Sequence, residues 1–405
     1  MKPRLKILFL SQPFLYPLDT GGKIRTAKLL EQLTKIFDIT LISNFYPSKD
    51  KLYFDRMTAL CREYHPVRWN PIKKYSPLFY LRLLTRVFSR YPIVVLNDYS
   101  KEIEETILRL LSKERYDLLI CDFLQPGLNF CKVTGCPILL FQHNVESVIA
   151  RRHFEVAANP FLKLFWWSQW RKMQRYEWEM CQRFTGTVTV SEIDKSLLEE
   201  KFGARNVFSI PTGVDTHYFS PSEKTEVNNS LVFTGSMDWL PNEDAILFFA
   251  KQILGKIKAK IPGVTVTVVG RNPSKRLLAE LETYPEIKCT GWVSDIRPHL
   301  GCHAVYIVPL RIGGGTRIKI YEAMAMGKAI VSTSIGSEGL PVTDGQNVVI
   351  ADTPERFSDG VIELLENPEK RMKMEVAARQ FVRQNCSWEG VAKRFAEVSL
   401  AVARA

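Results

Sequence analysis

Short runs of apolar, mostly β-branched residues recur along this chain with longer amphipathic stretches between them. That alternation restricts the fold more than any other feature. One series of expected strands is Leu5–Leu10, Ile39–Ser43, Leu118–Cys121, Ile138–Phe141, Thr187–Val190 and Val207–Ile210. A second is Leu231–Thr234, Val264–Val269, Ile287–Thr290, Ala304–Val308, Ala329–Ser332 and Val348–Ile350. Most are continuously apolar, as strands covered on both faces must be. Helical patterns fall between them at 23–36, 101–112, 242–257 and 354–365. Strand–helix alternation of this kind predicts an α/β protein of parallel, doubly wound sheets.

The stretch Pro211–Ser230, rich in Pro, Gly, Ser and Asn, separates the two series. The 405 residues therefore divide into two Rossmann-like domains, 1–211 and 212–387, with a helix near 388–405 placed to pack back on the first. Two helical inserts, Cys61–Pro92 and Ala150–Phe184, interrupt the first domain. No uncharged apolar run reaches the roughly 18 residues of a membrane span. The opening MKPRLKILFLSQPF is too short in its apolar part for a signal peptide, and the chain reads as cytoplasmic.

The net charge of +12 is uneven: residues 1–200 carry 30 Lys and Arg against 21 Asp and Glu, the remainder 25 against 22. A basic half implies an anionic partner, such as a phosphorylated substrate or an acidic membrane surface. The inserts carry much of it. Seven Lys and Arg lie between Arg62 and Pro92, among them Lys73, Lys74, Arg82 and Arg86, interleaved with Phe79, Leu83 and Phe88. The segment LKLFWWSQWRKMQRYEW holds four of the eight Trp beside Arg171, Lys172 and Arg175. Such faces suit peripheral docking at the inner face of a cell membrane; the competing expectation is packing on their own sheet. No nucleic-acid module signature is present, so no nucleic-acid partner is expected. The eight Cys are scattered without a C-x-x-C pair. HLGCH (299–303) lacks a second ligand pair, so no metal site is expected.

Four segments have the composition of ligand-binding turns. Gly21 and Gly22 open a helix after the first strand, where backbone N–H groups meet a phosphate or allow a sugar to approach. FQHNVES follows the strand ending at Phe141, a place that turns side chains toward the ligand crevice of an open sheet. His143 suits orienting a sugar or relaying a proton, while Asn144 and Glu146 suit acceptor or sugar positioning; the alternative is a helix start capped by Asn144. Gly235 and Ser236 open the turn after the first strand of the second series. Last, Gly313, Gly314, Gly315 and Thr316 precede a helix and are bracketed by Arg311, Arg317 and Lys319, a cradle for a diphosphate. Glu322, one to two turns into that helix, is placed to accept hydrogen bonds from ribose hydroxyls.

Together these motifs resemble the GT-B glycosyltransferases of family 4, most strongly over Thr187–Phe219 and Phe233–Thr333. TGSMDW with GGGTRIKIYEAMAMGKAIV is similar to a subgroup associated with bacterial exopolysaccharide synthesis. The resemblance implies a donor domain following an acceptor domain and a nucleotide-diphosphate sugar, UDP- or GDP-linked, as co-substrate. It implies no other cofactor or metal, and transfer with retention to a glycan or lipid-linked acceptor. In those terms GWVSD supplies a base contact through Val293 with Arg271 nearby, and Glu322 matches the second Glu of the Glu-x7-Glu motif. Gly314 stands where its first Glu belongs. Arg317, Lys319 and His143 are the expected catalytic residues. The alternatives are a nucleotide-sugar isomerase or epimerase of the same fold and a non-catalytic nucleotide-sugar or polyanion binder.

Overall fold

The computed structural model describes residues 4–404 apart from 70–75, 158, 223–225 and 313–317. It divides into two units: 1–211 with 391–405, and 212–390.

The first unit is built on a seven-stranded sheet, ordered β3-β2-β1-β4-β5-β6-β7. Its strands are β1 (Lys6–Ser11), β2 (Asp38–Phe45), β3 (Glu63–Arg68), β4 (Leu118–Asp122), β5 (Ile138–Phe141), β6 (Gly186–Thr189) and β7 (Val207–Ser209). All neighbours are parallel. β4 and β5 are buried at every position, as the apolar runs LLIC and ILLF require, with Asp122 closing β4. The strand order reverses between β1 and β4, so the carboxyl ends of those two strands flank a crevice.

The first insert departs from the helical expectation. It opens with the edge strand β3, EYHPVR, in which only Val67 is buried. Pro66 is tolerated because an edge strand has one ladder to satisfy. A helix follows at Pro77–Val87; Lys73 and Lys74 lie outside the described residues, as do the side chains of Phe79 and Leu83. The second insert is an antiparallel helix pair, Glu146–Val156 and Pro160–Arg183. Asn159 starts the longer helix, its Oδ1 accepting from the N–H groups of Phe161 (2.9 Å) and Leu162 (3.2 Å), with Pro160 in the first turn. Two of its four Trp serve packing: Trp166 stacks on His153 at 4.4 Å and Trp170 on Phe154 at 5.6 Å. Trp167 and Trp178 are exposed.

The second unit carries a six-stranded parallel sheet in the order β10-β9-β8-β11-β12-β13. These strands are β8 (Val227–Thr234), β9 (Thr265–Val269), β10 (Ile287–Gly291), β11 (His303–Val308), β12 (Ala329–Ser332) and β13 (Val349–Ile350). Its reversal lies between β8 and β11. The expected helix at 242–257 begins at Leu240, and Phe249–Ile253 is π-helical. The final helix, Trp388–Ala403, leaves this unit at Gly390. Its Trp388 occupies the space a Cβ on Gly213 would need, at 2.3 Å, and its Phe395 meets Phe141 edge-on at 5.1 Å within the first unit.

Candidate active site

At the crevice of the first unit, β1 ends in Ser11 and β4 in Asp122, a carboxylate with no exposed surface. Asp122 accepts from Ser11 Oγ (3.1 Å) and Thr26 Oγ1 (2.8 Å) through one oxygen and pairs with His143 Nε2 (2.7 Å) through the other. Arg25 Nη1 lies 3.2 Å from His143 Nδ1. A guanidinium only donates, so Nδ1 accepts and Nε2 carries the proton that goes to Asp122. Burial pushes the His143 imidazole below its ordinary pKa, Asp122 opposes this, and Arg25 adds to the lowering. His143 is thus a neutral, oriented ring with both nitrogens engaged. A proton relay through it requires one of these partners to be exchanged.

The ring is covered as well as tethered. Phe123, with a left-handed φ of 67°, stacks on His143 at 3.8 Å. A Cβ on Gly22 would stand 2.7 Å from Phe123 Cζ, so the second glycine leaves room for that ring. Gly21 begins the helix Gly21–Leu33, and no side chain caps its start.

Asn144 is not the cap of the helix at Glu146. The cap position is Val145, and the capping acceptor comes from another helix. Glu177 accepts from the N–H groups of Glu146 (3.0 Å) and Ser147 (3.2 Å) and from Gln142 Nε2 (2.6 Å). A carboxylate at a helix start satisfies free N–H groups and the helix dipole together. Burial raises the carboxyls of Glu146 and Asp98 to about 7 each; Glu177 and Asp98 add to the rise at Glu146, and Gln125 and Asn144 oppose it.

In the second unit the turn after β8 is shaped by close backbone approach. A Cβ on Gly270 would fall 1.7 Å from the Gly235 carbonyl oxygen, and one on Gly235 2.7 Å from Asn242 Nδ2. Gly270→Ala therefore forces the two turns apart and should cost about 1–3 kcal/mol, read by chemical denaturation. Ser236 accepts from Arg271 Nε (2.9 Å) and donates to Asp238 (2.6 Å), which also accepts from Asn272 (3.0 Å). Asn242 links this turn to Lys319: Nδ2 donates to the Ser236 carbonyl (2.8 Å) while Oδ1 accepts from Lys319 Nζ (3.0 Å). Lys319 also donates to the Thr234 carbonyl (3.1 Å) and stands 4.1 Å over the Phe233 ring. Gly235, Ser236, Arg271, Asn242 and Lys319 thus form one connected group at the carboxyl end of β8.

Glu322 lies one turn beyond Lys319. Burial raises its carboxyl to about 7, and Lys319 pulls the other way. Arg311 is differently committed from the phosphate role expected of it: its guanidinium forks onto Asp244 (2.6 and 3.1 Å) and lies 4.5 Å over Phe248. Its charge is matched within the protein. Val293 is half-buried against the core, next to exposed Trp292. Gly314, Gly315, Thr316 and Arg317 lie outside the described residues. In the HLGCH segment, His303 bonds Thr267 Oγ1 (2.7 Å) and the His299 carbonyl (2.6 Å), a structural use of its ring.

Asp122, Arg25, Thr26, Glu177 and Asn242 are absent from the sequence-based candidates. Asp122 alone left a signal, being polar at the end of an apolar strand; each of the others has a partner 30 to 118 positions away in sequence.

Fold and sequence together define a class. The chain matches the description Glycosyltransferase Family 4 over residues 20–218 and Glycosyl transferases group 1 over residues 228–367. It belongs to the family 4 glycosyltransferases of the GT-B fold. Over 397 residues it is 21% identical to an uncharacterized 44.6 kDa protein in the cps region of Klebsiella pneumoniae, covering 94% of this chain and 96% of that one. It is 27% identical to the phosphatidyl-myo-inositol mannosyltransferase of Mycobacterium tuberculosis, covering 55% of this chain and 61% of the relative. Among solved structures, a glycosyltransferase from Rickettsia africae superposes with a TM-score of 0.67 at 16% identity, covering 98% of each chain. Anabaena HepE in complex with UDP and glucose gives 0.66 at 14%, covering 98% of this chain and all of that one.

Proposed function

We propose that the protein moves a sugar from a nucleoside-diphosphate sugar to an acceptor hydroxyl with retention at the anomeric carbon and without a metal, in the synthesis of an exopolysaccharide or other cell-surface glycan. The second unit holds the donor and the first the acceptor. The observation that carries this reading is the connected group at the end of β8. There Lys319, whose Nζ bonds the Thr234 carbonyl and Asn242 Oδ1, supplies a cation beside the Gly235 turn, with Glu322 on the same helix for the ribose. The family membership, the UDP carried by the HepE neighbour and the relative from a cps region support it. Sequence supports metal independence, since no Asp-x-Asp occurs in the chain. In this reading the acceptor hydroxyl attacks from the face the diphosphate leaves, while Lys319, Arg317 and the glycine-loop amides stabilise the departing charge. His143 orients ligand groups through the Asp122–Arg25 frame.

Incubation with UDP-glucose, UDP-galactose and GDP-mannose in the presence of EDTA should give acceptor-dependent nucleotide release from one donor. The anomeric proton coupling of the product should show the configuration of the donor. Product of inverted configuration, or interconversion of free donor without acceptor, overturns the reading.

Glu322 gives the reading a pH signature. Its folded pKa is raised, so its contribution to stability is present at acid pH and is lost as pH rises through about 7. A ribose diol bonds best to the ionised carboxylate. Nucleotide affinity should therefore rise as pH climbs from 6 to 8 and then level off. Glu322→Gln should flatten that rise, as read by titration calorimetry.

We also propose that the first unit docks on an anionic membrane. Tyr80, Leu81, Leu84 and Phe88 are exposed on or beside the helix Pro77–Val87, and Phe161, Leu162, Leu164 and Trp167 on Pro160–Arg183. Arg82 and Lys163 stand among them. No described helix is long and apolar enough to span. Co-sedimentation with phosphatidylglycerol vesicles should be strong at low salt and weak at high salt; Phe161→Ser with Leu164→Ser should weaken both.

A further inference from the structure

Beside Asp122 the first unit opens a cleft of ≈ 470 Å³, within the range of small-molecule pockets. Three of its lining residues carry a buried amide oxygen without a hydrogen-bond partner: Gln12 Oε1, Asn44 Oδ1 and Gln125 Oε1. Gln12 is fixed by its other end, Nε2 donating to the Asp98 carbonyl at 2.9 Å. Buried acceptors are normally paired, so three around one cleft point to donors brought by a ligand.

The charges narrow the chemistry. Among the described residues, the acids Asp50, Asp98 and the buried Asp122 line the cleft against one cation, Lys23, whose ammonium already pairs with Asp19 at 3.0 Å. A phosphate entering here meets carboxylates in a partly desolvated space, a repulsion that a neutral ligand avoids. Trp69, Phe14 and Tyr46 add aromatic faces. Hydroxyl donors and a flat C–H face on one uncharged molecule describe a sugar ring, whose hydroxyls suit the amide oxygens and carboxylates.

We infer that this cleft holds the acceptor as an uncharged sugar unit and excludes acceptors that present a phosphate there. The inference rests on the assignment of the first unit to the acceptor. It separates this protein from relatives named for phosphatidylinositol acceptors.

Saturation-transfer NMR on the full chain tests it, with the methyl α-glycosides of glucose, galactose and mannose against glucose 6-phosphate and myo-inositol 1-phosphate. UDP and GDP binding is followed in parallel. At least one neutral glycoside should bind, and the phosphates about tenfold or more weakly. Asn44→Leu and Trp69→Ala should each weaken the glycoside about tenfold. Asn44→Asp, which keeps an acceptor oxygen, should retain it and so separates loss of a contact from loss of the fold. Equal or tighter binding of the phosphates overturns the inference. So does undiminished glycoside binding to both weakening variants, or no glycoside binding by a protein that binds UDP or GDP. Glycoside binding without nucleotide binding supports the cleft assignment and overturns the donor reading alone.

Discussion

Lys319→Ala is expected to lower kcat by about 100- to 1,000-fold while changing donor KM far less, the loss that follows removal of one charge-stabilising donor. The ammonium is held by the Thr234 carbonyl and Asn242 Oδ1, both neutral, and by the face of Phe233. Its charge is also coupled to the Glu322 carboxyl one turn on, whereas the Arg311 guanidinium forks directly onto Asp244. A cation fixed by two hydrogen bonds and a ring face is organised in advance for negative charge that develops during reaction. Charge on the leaving diphosphate grows from ground state to transition state, so the deficit belongs in kcat. Lys319→Arg keeps the charge but not its compact shape and should recover only part of the rate. Steady-state kinetics at saturating acceptor, with the donor found active, reads both values. A change confined to KM would reassign Lys319 to ground-state binding. Arg311→Ala should be mild by comparison, because its principal partner is Asp244.

The strands were legible because most of them are buried on both faces and spell continuous apolar runs, as LLIC and ILLF do. β3 was not. An edge strand with only Val67 buried and Pro66 inside it has neither the periodicity nor the propensity that marks a strand, and the pairing with β2 forms it. The glycine turns could be read because steric need selects glycine locally, whether for Phe123 at Gly22 or for the Asn242 amide at Gly235. Side-chain assignments were harder. Whether a cation is available depends on what the fold brings to it, and Asp244 reaches Arg311 across 67 positions. In the same way Glu177 looked like one polar residue in a Trp-rich helix, while its carboxylate caps the helix that starts at Glu146. The sequence shows which residue types gather at strand ends; the pairing that gives each a role is set by packing.

Asp122→Ala should destabilise the first unit by at least about 3 kcal/mol, since three buried donors each lose their acceptor at a cost of about 1–3 kcal/mol. The carboxylate is wholly buried and accepts from Ser11, Thr26 and His143. Truncation leaves those three donors facing a cavity, with the Arg25 guanidinium still against the far side of the imidazole. Asp122→Asn should cost less, since its amide keeps one acceptor oxygen, but its NH2 group meets donors where the second oxygen stood. The pH dependence separates this from simple cavity loss. The folded pKa of His143 lies below its unfolded value, so its contribution to stability is present above about 6.5 and is lost as pH falls toward the folded value. Asp122 is the influence that holds that depression in check. Without it burial and Arg25 act unopposed, the folded pKa drops further, and the loss of stability on acidification should deepen. Urea denaturation of the full chain at pH 7.5 and 5.5 measures both effects. A variant as stable as wild type at pH 7.5, or one that loses no more on acidification, would show that the Asp122–His143 bond is not what fixes the imidazole, and Phe123 stacking would have to hold it instead.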